Sequence, residues 1–353
     1  MISFNVDRVE LARRRLGITK NEFSISIDID RKGLYRFESG KYDLPNDAKE
    51  KLLILTGYPE SFFGKASPEY PNPKGVSFRS LRSLTASVRD AAMAAGALAF
   101  ELDDWVSAEY KLPEHDVFVD RELAAEEAAI RLRVMWNIGL RPIGNMINLL
   151  EAHGVRVFSL AEETRHLDAY SLWRNNKPYI FLNTMKTSER SRFDAAHELG
   201  HLILHFHAGS THPKAEIEAD TFASSFLMPE DDVKAEIRFV RNIKDIIEKK
   251  ARWGVSAAAL AYKLHRIKKV TDWNYRNYCI ELGKYGRDKE PSPIPRETSL
   301  VWTKILTDLW RRGISISRLS HRLSIPENEI NALLFGIASQ MSRQEPKPLR
   351  LVN

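Results

Sequence analysis

The apolar positions of this 353-residue chain recur mostly at helical spacing, three or four residues apart. Short amphipathic segments divided by turn residues run through the amino-terminal part, and longer helical patterns follow over 79–109 and 122–137. Pro142 is predicted to open a further helix that ends near Gly154, because proline suits a first turn and glycine suits a helix end. The pattern is again helical from residue 231 to the end. The chain is therefore predicted to be mostly helical.

Runs that fit strands are confined to one stretch in the middle of the chain. Three strand candidates lie there, at Val155 to Leu160, Ala169 to Trp173 and Pro178 to Leu182. Two helices are predicted next, at about 188–206 and 214–227, and Pro229 stops the second. A small sheet beside several helices gives an α+β fold class.

Length and composition favour a multidomain protein of the cytoplasm. A chain of 353 residues has room for two or three domains. Its first twenty residues lack the continuous apolar run of a secretory signal, and its longest apolar stretch, 91–100, is too short to cross a bilayer. The single cysteine, Cys279, cannot form an internal disulfide, which fits a reducing compartment. We therefore expect a cytoplasmic location without membrane contact.

Composition shifts divide the chain into four predicted segments. Residues 1–65 form an amino-terminal module, and 66–119 form a linker and helical connector that begins with three prolines in 66–76. Residues 120–230 hold the strands and their helices, and 231–353 form a basic helical region with 24 basic and 14 acidic residues. That excess of charge is compatible with a polyanionic partner and equally with a solvated helical surface.

The segment RSRFDAAHELGHLILH carries the strongest chemical signal in the chain. Residues four apart share a helix face, so His197 and His201 can present two imidazoles to one zinc ion. Glu198 lies within reach of a water on that ion, whose pKa zinc lowers from about 15.7 toward about 7, and can act as the general base. Gly200 costs this helix about 1 kcal/mol relative to alanine, which indicates that a neighbour packs closely there.

A second helix supplies carboxylates for the same site. Catalytic zinc commonly takes two histidines and a carboxylate, which leaves one position open. Glu216 and Asp220 share a face, so Glu216 could bind zinc while Asp220 accepts a hydrogen bond from a zinc-binding histidine. Glu218 is the alternative ligand. His205 is excluded as a ligand together with His197, because eight residues of helix advance about 12 Å, and it is interpreted as structural.

These segments, with EIEADTFASSFLMP and YSLWRNNKPYIFLN, resemble the ImmA/IrrE-type metallopeptidase family over about residues 120–230. The resemblance implies a zincin-like domain with Zn²⁺ held by His197, His201 and Glu216, and with Glu198 as general base. It also implies limited proteolysis of helix-turn-helix repressors. In such folds a sheet edge binds the substrate as an added strand, here one of the strands within 169–183.

Residues 5–63 resemble a Cro/repressor-type (XRE) helix-turn-helix domain. Thr19 and Glu22 form a predicted capping box, and Asp30 and Gly40 bound the predicted recognition helix. Leu34 and Phe37 are expected in the core, whereas six other residues are expected to face DNA: Lys20, Asn21, Arg31, Lys32, Tyr35 and Arg36. Because such readers often bind paired half-sites as dimers, a homodimer is one implied arrangement.

Two departures weigh against DNA binding by this module. Asp28 occupies the turn where the family usually has glycine, and together with Asp30 it places negative charge beside the expected DNA face. A module that docks a protein partner is the alternative. Near the other end of the chain, GISISRLSHRLSIPENEINALLFG predicts a second pair of helices, which any small helical bundle would also produce.

The leading hypothesis is a zinc metalloendopeptidase, a hydrolase, fused to a DNA-binding domain and cleaving a regulatory protein such as a repressor. Tethering both to one promoter would raise the effective concentration of the substrate. The alternative is a transcription regulator whose zinc domain senses a signal or stabilises structure without hydrolysis. A third hypothesis is an interaction scaffold around an inert core. It is less favoured, because a scaffold has no use for a general base such as Glu198.

Overall fold

A computed structural model of the chain describes residues 3–72, 85–160, 169–206, 213–286 and 289–343. The described chain is mostly helical with one small sheet, so the predicted α+β fold class is confirmed. Its contacts divide it into two compact units. Unit 1 comprises Met1–Tyr70, Asp90–Leu102 and Ser299–Asn353, and unit 2 comprises Pro71–Arg89 and Asp103–Thr298.

The helices before the sheet are α1 (Val6–Arg15), α2 (Lys20–Ser26), α3 (Arg31–Glu38), α4 (Asn46–Thr56), α5 (Glu60–Phe63), α6 (Ala86–Glu109), α7 (Ala125–Met135) and α8 (Met146–Ala152). The helices after it, up to the end of unit 2, are α9 (Ser188–Leu204), α10 (Pro213–Leu227), α11 (Glu230–Glu236), α12 (Ile243–Lys249), α13 (Ala257–Arg266) and α14 (Asp272–Gly283), with a 3₁₀ turn at Lys250–Arg252. The last four helices, in unit 1, are α15 (Leu300–Arg311), α16 (Ile316–Leu323), α17 (Glu327–Leu333) and α18 (Ile337–Arg343).

The sheet has three strands, β1 (Arg156–Ser159), β2 (Ala169–Arg174) and β3 (Lys177–Leu182), in the order β1-β3-β2. β1 runs parallel to β3, and β2 pairs with β3 in the antiparallel sense, with Ser171 opposite Ile180. β3 is fully paired at the centre, so β2 is an edge of the described sheet. Of the two predicted strands within 169–183, only the first therefore has a side open to an added strand.

Capping residues explain where the helices of the amino-terminal module begin. The Thr19 side chain accepts a hydrogen bond from the Glu22 backbone and Glu22 caps in return, so the predicted capping box is present. Asp30 caps α3, and Gly40, with φ of +70°, follows the end of α3 as expected. Leu34 and Phe37 are buried, in agreement with the sequence analysis.

One predicted helix start is wrong. Pro142 does not open α8, which begins at Met146 because the Asn145 side chain accepts a hydrogen bond from the Asn148 backbone. The side-chain cap at Asn145 therefore sets the start of the helix, and the preference of proline for a first turn does not. The helix does end just before Gly154, whose φ of +74° suits glycine. Part of the helical pattern over 79–109 lies outside the described residues, and α6 covers the rest from Ala86.

Residues 231–298 pack into unit 2, whereas residues from 299 onward belong to unit 1. Some of the basic side chains in 231–353 form ion pairs inside unit 2. The Lys250 ammonium is fully buried, 2.8 Å from Glu189 Oε1 of α9 and 3.3 Å from Glu290 Oε1. Arg252 pairs with Asp232 at 2.7 Å. These cations stabilise the fold, so they are not available to a polyanion.

Among the described residues, none of the helices combines the length and apolar character that crossing a bilayer requires. The predicted boundaries at residues 65, 119 and 230 stay predictions about domains, because the two compact units group the chain by contact alone.

Candidate metal centre

Two helices of unit 2 build the candidate site. α9 begins at Ser188, where the Thr187 side chain accepts a hydrogen bond from the Arg190 backbone, and it packs along α10. Gly200 lies in this contact, since a Cβ built on it would stand 3.0 Å from the Phe222 ring. The close neighbour that the sequence predicted at Gly200 is therefore Phe222. The absence of a side chain at this point lets the two helices approach closely.

Three side chains place donor atoms around one point. Nε2 of His197 lies 3.0 Å from Nε2 of His201, and it lies 3.4 Å from Glu216 Oε2. Glu216 Oε1 is 3.7 Å from His201 Nε2. One donor atom from each residue can be chosen so that all three lie within 4.8 Å of one another. Among the described residues, this is the group that could hold a metal ion. Glu216 rather than Glu218 completes it.

Asp220 supports the first histidine. Its Oδ1 lies 2.8 Å from Nδ1 of His197, which leaves Nε2 of the same ring directed at Glu216. Burial lowers the pKa of His197, but the hydrogen bonds to Asp220 and Glu216 outweigh burial and raise it to about 10. The contact that the sequence predicted for Asp220 is present. A carboxylate on the far nitrogen fixes the ring orientation and makes the ring a stronger ligand.

His201 is supported by a longer chain of contacts. Its Nδ1 lies 3.0 Å from Nδ1 of His205, and Nε2 of His205 lies 2.9 Å from Glu218 Oε2. If Nε2 of His201 binds a metal, its Nδ1 carries the proton and donates it to His205 Nδ1. His205 then carries its own proton on Nε2 and donates it to Glu218. That His205 is not itself a ligand stays a prediction, and its contact with the candidate ligand His201 was not foreseen by the sequence analysis.

Glu198 lies on the sheet side of α9 and is buried. The Ser171 hydroxyl of β2 lies 2.6 Å from Glu198 Oε2 and 3.2 Å from the Glu198 backbone oxygen. Ser171 was not singled out from the sequence. The only signal for it is a small hydroxyl between two apolar residues, Tyr170 and Leu172, in a buried strand. This contact ties the carboxylate to the edge of the sheet.

A half-buried ion pair lies near His197, between Asp194 of α9 and Lys186, which precedes that helix. Lys186 Nζ is 3.9 Å from Asp194 Oδ2. Burial lowers the pKa of Lys186 to about 8 and raises the pKa of Asp194, while each charge partly offsets the burial of the other. Only 16% of the Asp194 side chain is exposed. The Asp194 carboxyl group also interacts electrostatically with His197 and Asp220 of the site.

Segments outside the motif hold α9 in place. The buried guanidinium of Arg192 pairs with Glu297 and donates to the Ile143 and Gly144 backbone oxygens. A Cβ on Gly254, which has φ of +63°, would stand 2.9 Å from Arg192 Nε. The site helix is therefore held by contacts with segments far before it and far after it in sequence.

The donor set fits zinc. Two imidazoles and one carboxylate form a common ligand set of catalytic zinc sites, and they leave a position for water or substrate. The far nitrogens of both imidazoles already have partners, as the support around such ligands requires. The buried His201 and Glu216 side chains keep the site compact. Two further histidines downstream of α9, His207 and His212, lie outside the described residues.

The six residues predicted to face DNA lie in unit 1, on α2 and α3. Arg31 donates two hydrogen bonds to the Asn21 side chain, at 3.0 and 2.7 Å. Lys20 pairs with Glu38 at 2.7 Å, and the Arg36 guanidinium lies over the Tyr42 ring. All six are exposed: Lys20, Asn21, Arg31, Lys32, Tyr35 and Arg36. Their role at DNA stays a prediction.

A helix-borne pair of histidines, a carboxylate from the next helix and a three-stranded sheet together define a metallopeptidase-like centre. Residues 150–265 match the family model of the M78 peptidases, described as the IrrE N-terminal-like domain. The match supports the ImmA/IrrE resemblance and a peptidase-like function for this segment. It extends past the predicted boundary at residue 230, in keeping with the packing of the following helices into unit 2. No curated protein matches the chain.

Proposed function

We propose that the chain is a zinc-dependent endopeptidase whose metal is held by His197, His201 and Glu216. The observation that carries the proposal is the convergence of these three donors within 4.8 Å, beside a buried glutamate. Zinc, when bound, activates water and polarises a peptide carbonyl. Every other contribution comes from the side chains around it.

Glu198 acts as the general base and then the general acid. Its carboxylate takes a proton from the attacking water and returns it to the nitrogen of the leaving amine. Ser171 holds one oxygen of that carboxylate, so the other is directed away from the sheet. β2 is the edge at which an extended peptide is added as a strand. Its main-chain groups would align the scissile bond beside Glu198.

We further propose that the amino-terminal module binds DNA and that the substrate is a regulatory protein such as a repressor. Four exposed basic or aromatic side chains on α3 support DNA binding: Arg31, Lys32, Tyr35 and Arg36. Asp28, the residue at odds with this reading, adopts φ of +55°, a conformation that aspartate tolerates better than most residues. Its charge is compensated by Lys51 at 2.8 Å. The presence of Asp28 in the turn is therefore compatible with DNA binding.

The experiment compares the full wild-type chain with Glu198→Gln. Zinc content is measured in both purified proteins, and new protein amino termini are catalogued in cells that express either one. We expect equal zinc content and a set of cleaved proteins that only the wild type produces. Wild-type protein without zinc, or the same cleavage products with both proteins, would refute the mechanism. Zinc without any cleavage would instead favour the regulator whose metal domain is a sensor.

A further inference from the structure

Two stretches of unit 1 repeat the same series of backbone landmarks. We name residues 17–40 the amino-terminal helix pair and residues 313–336 the carboxyl-terminal helix pair. In each, a left-handed glycine, an N-cap, a left-handed polar residue, a second N-cap and a left-handed glycine follow one another. The first series is Gly17, Thr19, Asp28, Asp30 and Gly40, and the second is Gly313, Ser315, Ser324, Pro326 and Gly336. The spacing between successive landmarks is identical in the two series.

The core positions repeat in the same register. Phe23 and Ile27 of the first pair correspond to Leu319 and Leu323 of the second, and all four are buried. Leu34 and Phe37 likewise correspond to Ile330 and Leu333, which are also buried. Matching caps, left-handed residues and core positions define one local structure. The carboxyl-terminal helix pair is therefore a second helix-turn-helix.

The outward positions of the second helices do not repeat. α3 presents Arg31, Lys32, Tyr35 and Arg36. At the corresponding positions α17 carries Glu327, Asn328, Asn331 and Ala332. The three cations of α3 at these positions are thus replaced on α17 by one anion and no cation. Contacts between basic side chains and phosphates supply a large share of the affinity of proteins for DNA. α17 lacks the positive charge that α3 offers for such contacts.

The carboxyl-terminal helix pair instead contacts the amino-terminal module. Glu329 of α17 pairs with Arg15 of α1 at 2.9 Å, and their side chains are 11% and 7% exposed. The Tyr58 hydroxyl lies 3.1 Å from Glu329 Oε1. Ser324, at the turn, hydrogen-bonds Ser61 at 2.8 Å. In a DNA-binding helix-turn-helix, the second helix enters a groove of the DNA. Here the second helix, α17, directs Glu329 against the amino-terminal module of the same chain.

The interface is not reciprocal. Arg15 corresponds to Arg311 in the second pair, and Glu329 corresponds to Gly33 in the first. Gly33 cannot take the place of Glu329, since it has no charge and a Cβ on it would stand 2.8 Å from Asp30 Oδ1. An amino-terminal module from a second chain therefore has no carboxylate at the position of Glu329. Among the described residues, Arg15 receives this carboxylate from the carboxyl-terminal helix pair, and it also donates to the Ala91 backbone oxygen of α6.

We propose that the carboxyl-terminal helix pair is a non-reading copy of the helix-turn-helix that serves as the permanent intrachain partner of the amino-terminal module. One chain then presents one basic reading helix, α3, and engages DNA singly instead of as a dimer formed through this face. The DNA part of this inference rests on the proposed function. The partner role rests on the contacts of Arg15, Tyr58 and Ser61 alone.

The DNA arm of the test uses the full chain and a fluorescein-labelled 20-base-pair duplex of mixed sequence. Binding is followed by anisotropy over a range of salt concentrations. The double variant Arg31→Ala with Lys32→Ala should bind more weakly and lower the slope of log K against log salt by about 2. The matched variant Glu327→Ala with Asn328→Ala, at the corresponding positions, should leave the affinity and the slope unchanged. Equal weakening by both variants would overturn the proposal.

The partner arm needs no DNA. A double-mutant cycle with Arg15→Met and Glu329→Gln is read by thermal unfolding, and Arg311→Met, at the exposed corresponding position, is the control. Each single variant at the pair should lower Tm by roughly 5 °C, the double variant should lose little more, and the control should not change it. Additive losses, or a Tm unmoved by either variant, would contradict the partner role.

Mass measurements complete the test. Sedimentation should give one chain per molecule in solution and one chain per duplex. Two chains per duplex whose association is lost in Glu329→Gln would overturn the proposal. If the wild type binds no duplex at all, the DNA part of the proposed function fails, while the melting cycle and the solution mass still decide the partner role.

Discussion

The candidate metal centre of unit 2 and the basic helix α3 of unit 1 differ in how far their charged side chains are exposed to solvent. At the metal centre Glu198, His201 and Glu216 are buried, and neighbouring side chains fix their orientation. On α3 the charged side chains are exposed, and Arg31 is held only by a neighbouring amide. A buried polar group that loses its partner keeps the cost of desolvation, whereas an exposed one is rehydrated. Substitutions should therefore have large, specific effects in the first region and small, salt-dependent ones in the second.

The largest effect is expected for the carboxylate that completes the metal site. Glu216→Ala removes a proposed ligand and should weaken zinc binding at least a hundredfold, more than the loss of a group outside the proposed ligand set. Glu218→Ala, a neighbour on the same helix, should weaken it less, because Glu218 contacts the ligand His201 only through His205. Competition with a chelating dye measures both affinities. If Glu218→Ala lost more zinc affinity than Glu216→Ala, Glu218 would be the ligand and Glu216 the supporting residue.

The next largest effect is expected for His205, which contacts the proposed ligand His201. Because His201 Nδ1 lies 3.0 Å from His205, His205→Ala removes the partner that fixes the His201 ring. We expect a 10- to 100-fold loss of zinc affinity, in the range for such supporting residues. His265→Ala breaks a comparable but partly exposed pair with Asp272 and serves as the control, which should bind zinc like the wild type. Unchanged affinity in His205→Ala would show that the contact is incidental.

Gly200 tests how tightly the two site helices pack. Gly200→Ala adds a methyl group 3.0 Å from the Phe222 ring, so overpacking should outweigh the gain in helix propensity. A net loss of about 1–2 kcal/mol in the free energy of unfolding is expected. Gly283→Ala, at a helical glycine with nothing within 4 Å, should be neutral or stabilise by up to about 1 kcal/mol. Urea titration of both variants checks this, and stabilisation by Gly200→Ala would mean that the helices separate easily.

The smallest effect is expected at the turn of the amino-terminal helix pair. Asp28→Gly removes an exposed ion pair with Lys51 but relieves a left-handed backbone, so Tm should move by no more than about 2 °C. Ser324→Gly, at the corresponding turn, also relieves the backbone but loses the hydrogen bond to Ser61. It should therefore lower Tm by a few degrees. Equal shifts in the two variants would place both turns in the same environment.

Much of the metal centre could be predicted from local spacing. His197 and His201 share a face on any helix, and Glu216 and Asp220 share one on the next, so these residues could be paired before any contact was known. Glu216 was preferred to Glu218 from its spacing to Asp220, but the rotation of α10 against α9 depends on packing at Gly200 and Phe222. Ser171 lies 27 residues before Glu198, and no local pattern indicates that contact.

The amino-terminal module shows the same division. The caps Thr19 and Asp30 and the buried Leu34 and Phe37 follow from local preferences and periodicity. The correspondence of 17–40 with 313–336 lies in backbone angles and burial more than in residue identity, so the sequence analysis found only a second pair of helices. Pro142 was misread because a side-chain cap three residues later set the start of α8.

The sequence by itself determined where most helices and strands lie, which residues face the core, and which histidines share a face. Those features depend on interactions within a few residues, which the order of side chains specifies directly. Only the tertiary structure decided that the donor atoms of Glu216, His197 and His201 lie within 4.8 Å of one another, that Ser171 contacts Glu198, and that Glu329 pairs with Arg15. Each of these contacts joins distant segments. Their geometry is set by how helices and sheet pack to bury apolar surface, a property of the whole unit and not of any one segment.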